Sequence, residues 1–337
     1  MEFGERDLEK EKLTHRQRLE ACLSGGVLDR VPVALWRHFP VDDQKPSSLA
    51  AAAVAFQRIY DFDFVKVTPA SSFCIKDWGV EDQWQGTAEG TRQYTRRAIQ
   101  SPVDWENLHV LDPYKGYLAD QLACLRMITA ELGPDVPVIQ TIFNPLSQAK
   151  NLVAKETLLV HLRKYPEAVH AGLQIIAEST QRFIEAAMKT GISGIFYAVQ
   201  HAQYSLLSGS EYAAFGHAYD LQVLEPAQEL WLNVLHLHGE DIMFDQFVDY
   251  PVAVINWHDR ETPPSLTDAL KRFTGVVCGG LERERTMVLG TPEQVTAEAH
   301  DAIQVTNGQR FILGTGCVVP ITAPHGNLLA ARESVQH

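Results

Sequence analysis

The stretch LWLNVLHLHGEDIMFDQFVDYPVAVINWH, residues 230–258, holds two apolar runs, LWLNVLHLH (230–238) and VAVINWH (252–258). Both are dominated by branched and aromatic side chains, the composition of a buried strand. The segment between them, residues 241–247, reads as a short helix. A strand, a helix and a second strand form a βαβ unit, and such units build parallel sheets. The unit decides the fold because it repeats in both directions along the chain.

Toward the N-terminus the pattern runs back through strands at 194–199 (GIFYAV), 136–143 (VPVIQTIF), 62–68 (FDFVKVT) and 30–37 (RVPVALWR). Helices are expected at 14–24, at 47–60 with Ser47 or Ser48 as N-cap, at 114–132, over 146–189 in two or three pieces, and at 211–219. Toward the C-terminus come strands at 275–280 (GVVCGG) and 310–317 (RFILGTGC), with helices at 266–273, 292–305 and 327–333. Residues 80–99 break the alternation. Gly86 and Gly90 lie between two alternating runs there, which suggests a β-hairpin after the second strand. Eight apolar strands, most followed by a helix and without a glycine-rich dinucleotide loop, favour a closed (β/α)8 TIM barrel with an N-terminal helical extension. A mixed open sheet is the alternative. No linker or low-complexity tract divides the chain, so residues 1–337 read as one domain.

Composition limits the function. The 337 residues are 45% hydrophobic and 21% charged, ordinary for a globular enzyme. A formal net charge of −13 argues against nucleic acid or an anionic membrane as the main partner, since both reward basic surfaces. No segment approaches the ~18 apolar residues of a membrane span. The five widely spaced cysteines and a charged N-terminus without an apolar export core fit a cytoplasmic protein.

Active-site groups of such a barrel gather at the C-terminal ends of its strands. That rule selects Arg37, His38, Thr68, Phe143, Asn144, His201, the pair His236 and His238, His258 with Asp259, residues 279–282, and Cys317. In a strand, residues i and i+2 share a face, so His236 and His238 project together. Two imidazoles with a thiolate from Cys317 could hold one zinc ion and leave its fourth position open, as in catalytic zinc sites. The alternative is that both histidines are neutral, hydrogen-bonded strand-end residues and Cys317 is a small buried hydrophobe.

The segments RVPVALWRH, GIFYAVQHA, LHLHGED, GGLERERTMVLGTPEQV and FILGTGCVVPITAPHGNLLA, taken in this order, resemble the uroporphyrinogen decarboxylase superfamily over nearly the whole chain. The resemblance implies a (β/α)8 barrel and one of two activities. The first is cofactor-free decarboxylation of a tetrapyrrole. Arg37 matches the first of that enzyme's two arginines, but Val41 stands at the second. Residues near Thr68 replace its aspartate, and Thr315 replaces the histidine of its Gly-His-Gly. The second activity is zinc-dependent methyl transfer between a corrinoid and a thiol such as coenzyme M. That class resembles His-x-Cys at the fifth strand and Cys after the last, which implies His236, His238 and Cys317 as zinc ligands. His238 stands where the pattern has cysteine. The centre would then carry a formal +1 charge where two thiolates give neutrality, so it would hold an anionic nucleophile tightly and acidify it further.

The leading expectation is therefore a zinc-dependent methyltransferase using cobalamin or a corrinoid protein, with a small-molecule acceptor and a family-type homodimer. Metal-free decarboxylation and a catalytically silent tetrapyrrole-binding barrel are the alternatives. Arg37 is a candidate for binding a substrate carboxylate or phosphate. His201 is a candidate acid/base or corrinoid-facing residue, and His258, oriented by Asp259, a proton shuttle. Glu282 could complete or orient the metal shell. Arg92, Arg96 and Arg97 read as a solvated hairpin face, and Cys22, Cys74, Cys124 and Cys278 as packing residues.

Overall fold

A computed structural model describes residues 12–336. The charged N-terminal stretch therefore begins, at residues 1–11, outside the described residues. In chain order the strands are β1 (Val65–Val67), β2 (Glu81–Gln83), β3 (Gln93–Arg96), β4 (Val138–Phe143), β5 (Gly194–Val199), β6 (Val234–Leu237), β7 (Val254–Trp257), β8 (Val276–Leu281) and β9 (Phe311–Thr315). β2 and β3 form the antiparallel hairpin expected after the second strand. The other seven make one parallel sheet in the order β1-β4-β5-β6-β7-β8-β9.

Residues 32–36 close that sheet into a barrel. Leu313 of β9 donates its N–H to Pro32 O at 2.8 Å and accepts from Ala34 N at 2.9 Å. On the other side Asp63 N donates to Val33 O at 2.8 Å. The strand expected at 30–37 thus shrinks to a single bridge between Val33 and Leu313. Pro32 has no N–H to give, and the Val33 N–H goes to the Asp63 carboxylate at 2.7 Å, so a longer ladder cannot form.

The N-terminal helix His15–Ser24 is present, capped by Thr14. The next helix starts at Pro46, with proline in the first turn and no side-chain cap, so neither Ser47 nor Ser48 serves as N-cap. The long helical region falls into three pieces, Pro145–Val153, Lys155–Lys164 and Pro166–Met188. The helix expected at 241–247 is only the 3-10 turn Phe244–Gln246, since Gly239 (φ 99°) and Asp241 (φ 49°) turn the backbone away from helical geometry. Among the described residues, no helix is long and apolar enough to cross a membrane.

Two buried polar knots brace the barrel. At one end Asp63 is fully buried and accepts from Arg18 (2.6 Å), Arg30 (2.6 Å) and Val33 N. Beside β5, Asp220 is also fully buried and accepts from Asn144, Tyr197, Tyr212 and Tyr250 at 2.9, 2.8, 2.5 and 3.0 Å.

Candidate metal centre

His236 lies within β6 and His238 one residue past its end, while Leu235 and Leu237 take the opposite face and are fully buried. The parallel register sets His236 against Asn256 and Leu237 against Trp257. One step further, His258 comes beside His238. Cys317, two residues after β9, reaches the same point from across the mouth.

One donor atom from each of His236, His238, His258 and Cys317 falls within 4.8 Å of the others. Cys317 Sγ is 3.7 Å from both His236 Nε2 and His238 Nδ1, and His258 Nε2 is 3.3 Å from His238 Nδ1. Tetrahedral zinc, with nitrogen at ~2.0–2.1 Å and sulfur at ~2.3 Å, has edges of about 3.3 Å between nitrogens and about 3.6 Å between nitrogen and sulfur. The four donors could thus hold a zinc-sized cation with little adjustment. The structure brings together all three expected ligands and adds His258 as a fourth donor.

The protonation pattern suits a cation. Asn256 is fully buried, and its amide donates to Cys278 O at 2.9 Å and Thr315 O at 3.0 Å. Its Oδ1 must therefore accept, and the partner is His236 Nδ1 at 2.7 Å. The proton of His236 is held on Nδ1, and the Nε2 lone pair faces Cys317. Burial also holds the His236 imidazole below its ordinary pKa, against the pull of Cys317. Burial would raise the Cys317 thiol, but the three imidazoles outweigh it and hold the thiol well below the usual range. Burial likewise opposes charge on His258, yet the Cys317 thiolate and Glu261 push it up to about 9.

A cavity of about 270 Å³ opens beside the cluster, walled by β1, β4, β5 and the hairpin. Lys66, His38, Lys150 and Gln200 line it together with His236, His238 and Cys317. The hairpin loop covers it. Gly90 (φ 80°) lies so close that a Cβ would stand 2.6 Å from His38 Cβ, and Glu89 is ion-paired with Arg283.

Several expected roles change. His258 is not oriented by Asp259, because neighbouring residues at a strand end point to opposite sides. Its Nδ1 faces Glu261 at 3.4 Å, while both Asp259 oxygens accept the Gly280 N–H at 3.0–3.1 Å. Glu282 does not reach the cluster; it accepts backbone N–H groups of Glu284, Arg285 and Thr286 and braces the turn after β8. Arg92 is not solvated. It donates to Asp82 at 2.5 Å, lies 3.6 Å from Asp43 and faces the cavity, and Arg97 donates to Lys150 O and Asn151 O. Only Arg96 of the three is exposed.

Arg37 does not line the cavity; its guanidinium lies over the Phe39 and Phe56 rings at 5.4 and 5.2 Å. His201 is buried outside the lining, with both ring nitrogens unpartnered among the described residues. Burial pushes the thiols of Cys22, Cys74 and Cys124 up to about 12, in keeping with packing roles. Two residues of the site, Lys66 on the cavity wall and Asn256 behind His236, lie inside strands rather than at their ends. Each is a lone polar side chain inside an apolar strand, and that contrast was the available signal.

A model of the uroporphyrinogen decarboxylase (URO-D) family matches residues 14–337. The chain is 23% identical to the methylcobamide:CoM methyltransferase MtbA of Methanosarcina mazei, over 94% of this chain and 95% of that protein. It is 21% identical to the methylcobamide:CoM methyltransferase MtaA of Methanosarcina barkeri, over 96% and 98%. Among solved structures, a methyltransferase from Methanosarcina mazei superposes with a TM-score of 0.81 at 19% identity, covering 96% of this chain and 99% of that one.

Proposed function

The chain belongs to the uroporphyrinogen decarboxylase (URO-D) family, and from that premise we propose that it is a methyltransferase. It moves a methyl group between a corrinoid and a small nucleophile, a thiol in the first instance, at a zinc centre held by His236, His238 and Cys317. The observation that carries this reading is the convergence of those three donors with His258 beside a cavity of substrate size. The named activity of the methylcobamide:CoM methyltransferases it resembles supports the same reading.

When bound, zinc supplies Lewis-acid chemistry that acidifies the acceptor thiol and presents it as a nucleophile. The protein's own groups do the rest. Asn256 keeps the His236 proton on Nδ1, so Nε2 stays free to ligate. His258 stands at the fourth corner of the cluster, the position an acceptor would occupy if the other three residues held the metal. Glu261 lies behind it at 3.4 Å and favours its charged form, so His258 would stabilise an anionic acceptor beside it. His201 and Arg37 are given no step, because neither lines the cavity. A reducing cytoplasm suits this chemistry, since Cys317 must remain a free thiol.

Incubating the purified protein with methylcobalamin and a panel of thiols, followed by absorbance, tests the proposal. Demethylation that disappears after chelation and in Cys317→Ser is expected. No demethylation with any thiol would overturn it.

A further inference from the structure

The helix Pro145–Val153 follows β4, and its last turns reach the cavity wall. Ser147, Lys150 and Asn151 stand at positions i, i+3 and i+4, so they share one face of it. The Ser147 hydroxyl accepts the Gln200 N–H at 3.0 Å, which brings Gln200, just past β5, to that same face. Lys150, Asn151 and Gln200 all line the cavity.

None of these three side chains has a hydrogen-bond or ion-pair partner among the described residues. Asn151 is buried, and Gln200 Oε1 is buried and unbonded. Burial, with the cations Arg97 and Lys155 nearby, pushes the Lys150 ammonium down to about 8, so at neutral pH it is still mostly charged. Buried polar groups in folded proteins are nearly always satisfied. Three unmet side chains at one spot therefore mark where polar atoms of a ligand go.

The pattern of donors and acceptors selects the ligand group. A carboxylate offers only acceptors, so it would suit Lys150 and leave Gln200 Oε1 unmet. A primary carboxamide offers both: its carbonyl accepts from Lys150, and its NH2 donates to Gln200 or Asn151. A simple thiol carries no such group. A corrinoid does, because its macrocycle is fringed with acetamide and propionamide arms.

We propose that Lys150, Asn151 and Gln200 receive a carboxamide arm of the corrinoid and so select amidated corrins over their acid counterparts. Naming a corrinoid as the bearer of the amide rests on the methyl-transfer reading above; the carboxamide site itself rests on the three unmet side chains.

Quenching of tryptophan fluorescence in the full-length protein compares cobinamide with cobyrinic acid. Both lack the nucleotide tail, and they differ in carrying amides or carboxylates around the ring. The wild type should bind cobinamide about tenfold more tightly, the worth of one hydrogen bond. Gln200→Leu should erase most of that preference. Lys150→Met should weaken cobinamide binding about tenfold, and Lys150→Arg should restore part of the loss. A wild type that binds the acid as tightly as the amide, a preference intact in Gln200→Leu, or unchanged cobinamide binding in Lys150→Met overturns the proposal. Binding of neither corrinoid overturns it together with the corrinoid half of the methyl-transfer reading. Demethylation of methylcobalamin without the amide preference refutes the carboxamide site alone. An amide preference that falls in Gln200→Leu, in a protein that never demethylates methylcobalamin, upholds the site and refutes methyl transfer instead.

Discussion

His236 and Asn256 are register partners on neighbouring strands, and the 2.7 Å bond between His236 Nδ1 and Asn256 Oδ1 decides which imidazole nitrogen faces Cys317. Parallel strands place paired residues on the same side of the sheet, so this bond follows from the pairing of β6 with β7. Asn256→Leu keeps the bulk and removes the acceptor. Metal affinity, measured by competition with a chelator, should fall about 10- to 100-fold, as for other residues that orient a ligating histidine. Unchanged affinity would show that the tautomer of His236 is set elsewhere.

Asp220 gathers four donors in a fully buried site. Tyr250→Phe removes one of them and should cost about 1 kcal/mol in urea unfolding. Asp220→Leu removes the acceptor that all four share and should cost more than about 3 kcal/mol. Through Asn144 and Ser147 the same knot holds the Gln200 N–H on the cavity wall, so the second variant should also bind acceptor more weakly.

Asp63 makes stability acid-sensitive. Burial would raise its carboxyl, but His15, Arg30 and Arg18 outweigh burial and hold it far below the usual carboxylate range. A carboxyl depressed in the folded state stabilises above its unfolded pKa of about 3.9, and that contribution is lost as pH falls below it. Unfolding free energy should therefore drop steeply below about pH 4 in the wild type. Asp63→Asn should unfold more easily at neutral pH, by about 3–5 kcal/mol, and show a shallower acid limb. Parallel acid limbs in the two proteins would contradict this.

Gly90 allows the hairpin loop to sit over the cavity, with positive φ and contacts to His38 and Ile321 that leave no room for a Cβ. Gly90→Val should lift the loop and raise the KM for the acceptor severalfold, with a smaller change in kcat. Loss of kcat alone would place the effect at the metal cluster.

Much of the barrel was legible because its strands are short, apolar and regularly spaced; residues 194–199 coincide with β5 to the residue. The misreadings have local causes. Pro32 and the Asp63 carboxylate reduce the first strand to a bridge, and positive φ at Gly239 and Asp241 forbids the helix expected after β6. The HxH spacing and Cys317 pointed to the cluster, but His258 joined it only through the pairing of β6 with β7, which no local pattern encodes. Arg92 read as solvated because a hairpin is usually exposed, whereas this one folds back over the barrel mouth. Lys66 and Asn256 lie inside apolar strands, away from the strand ends where a barrel gathers its active-site groups.

The central claim, a metal held by His236, His238 and Cys317, is tested most directly by metal content. Elemental analysis of protein produced in zinc-supplemented medium should find about one zinc per chain in the wild type and almost none in Cys317→Ser or His236→Ala. A wild type without zinc, or a Cys317→Ser variant that keeps its full complement, would contradict the account.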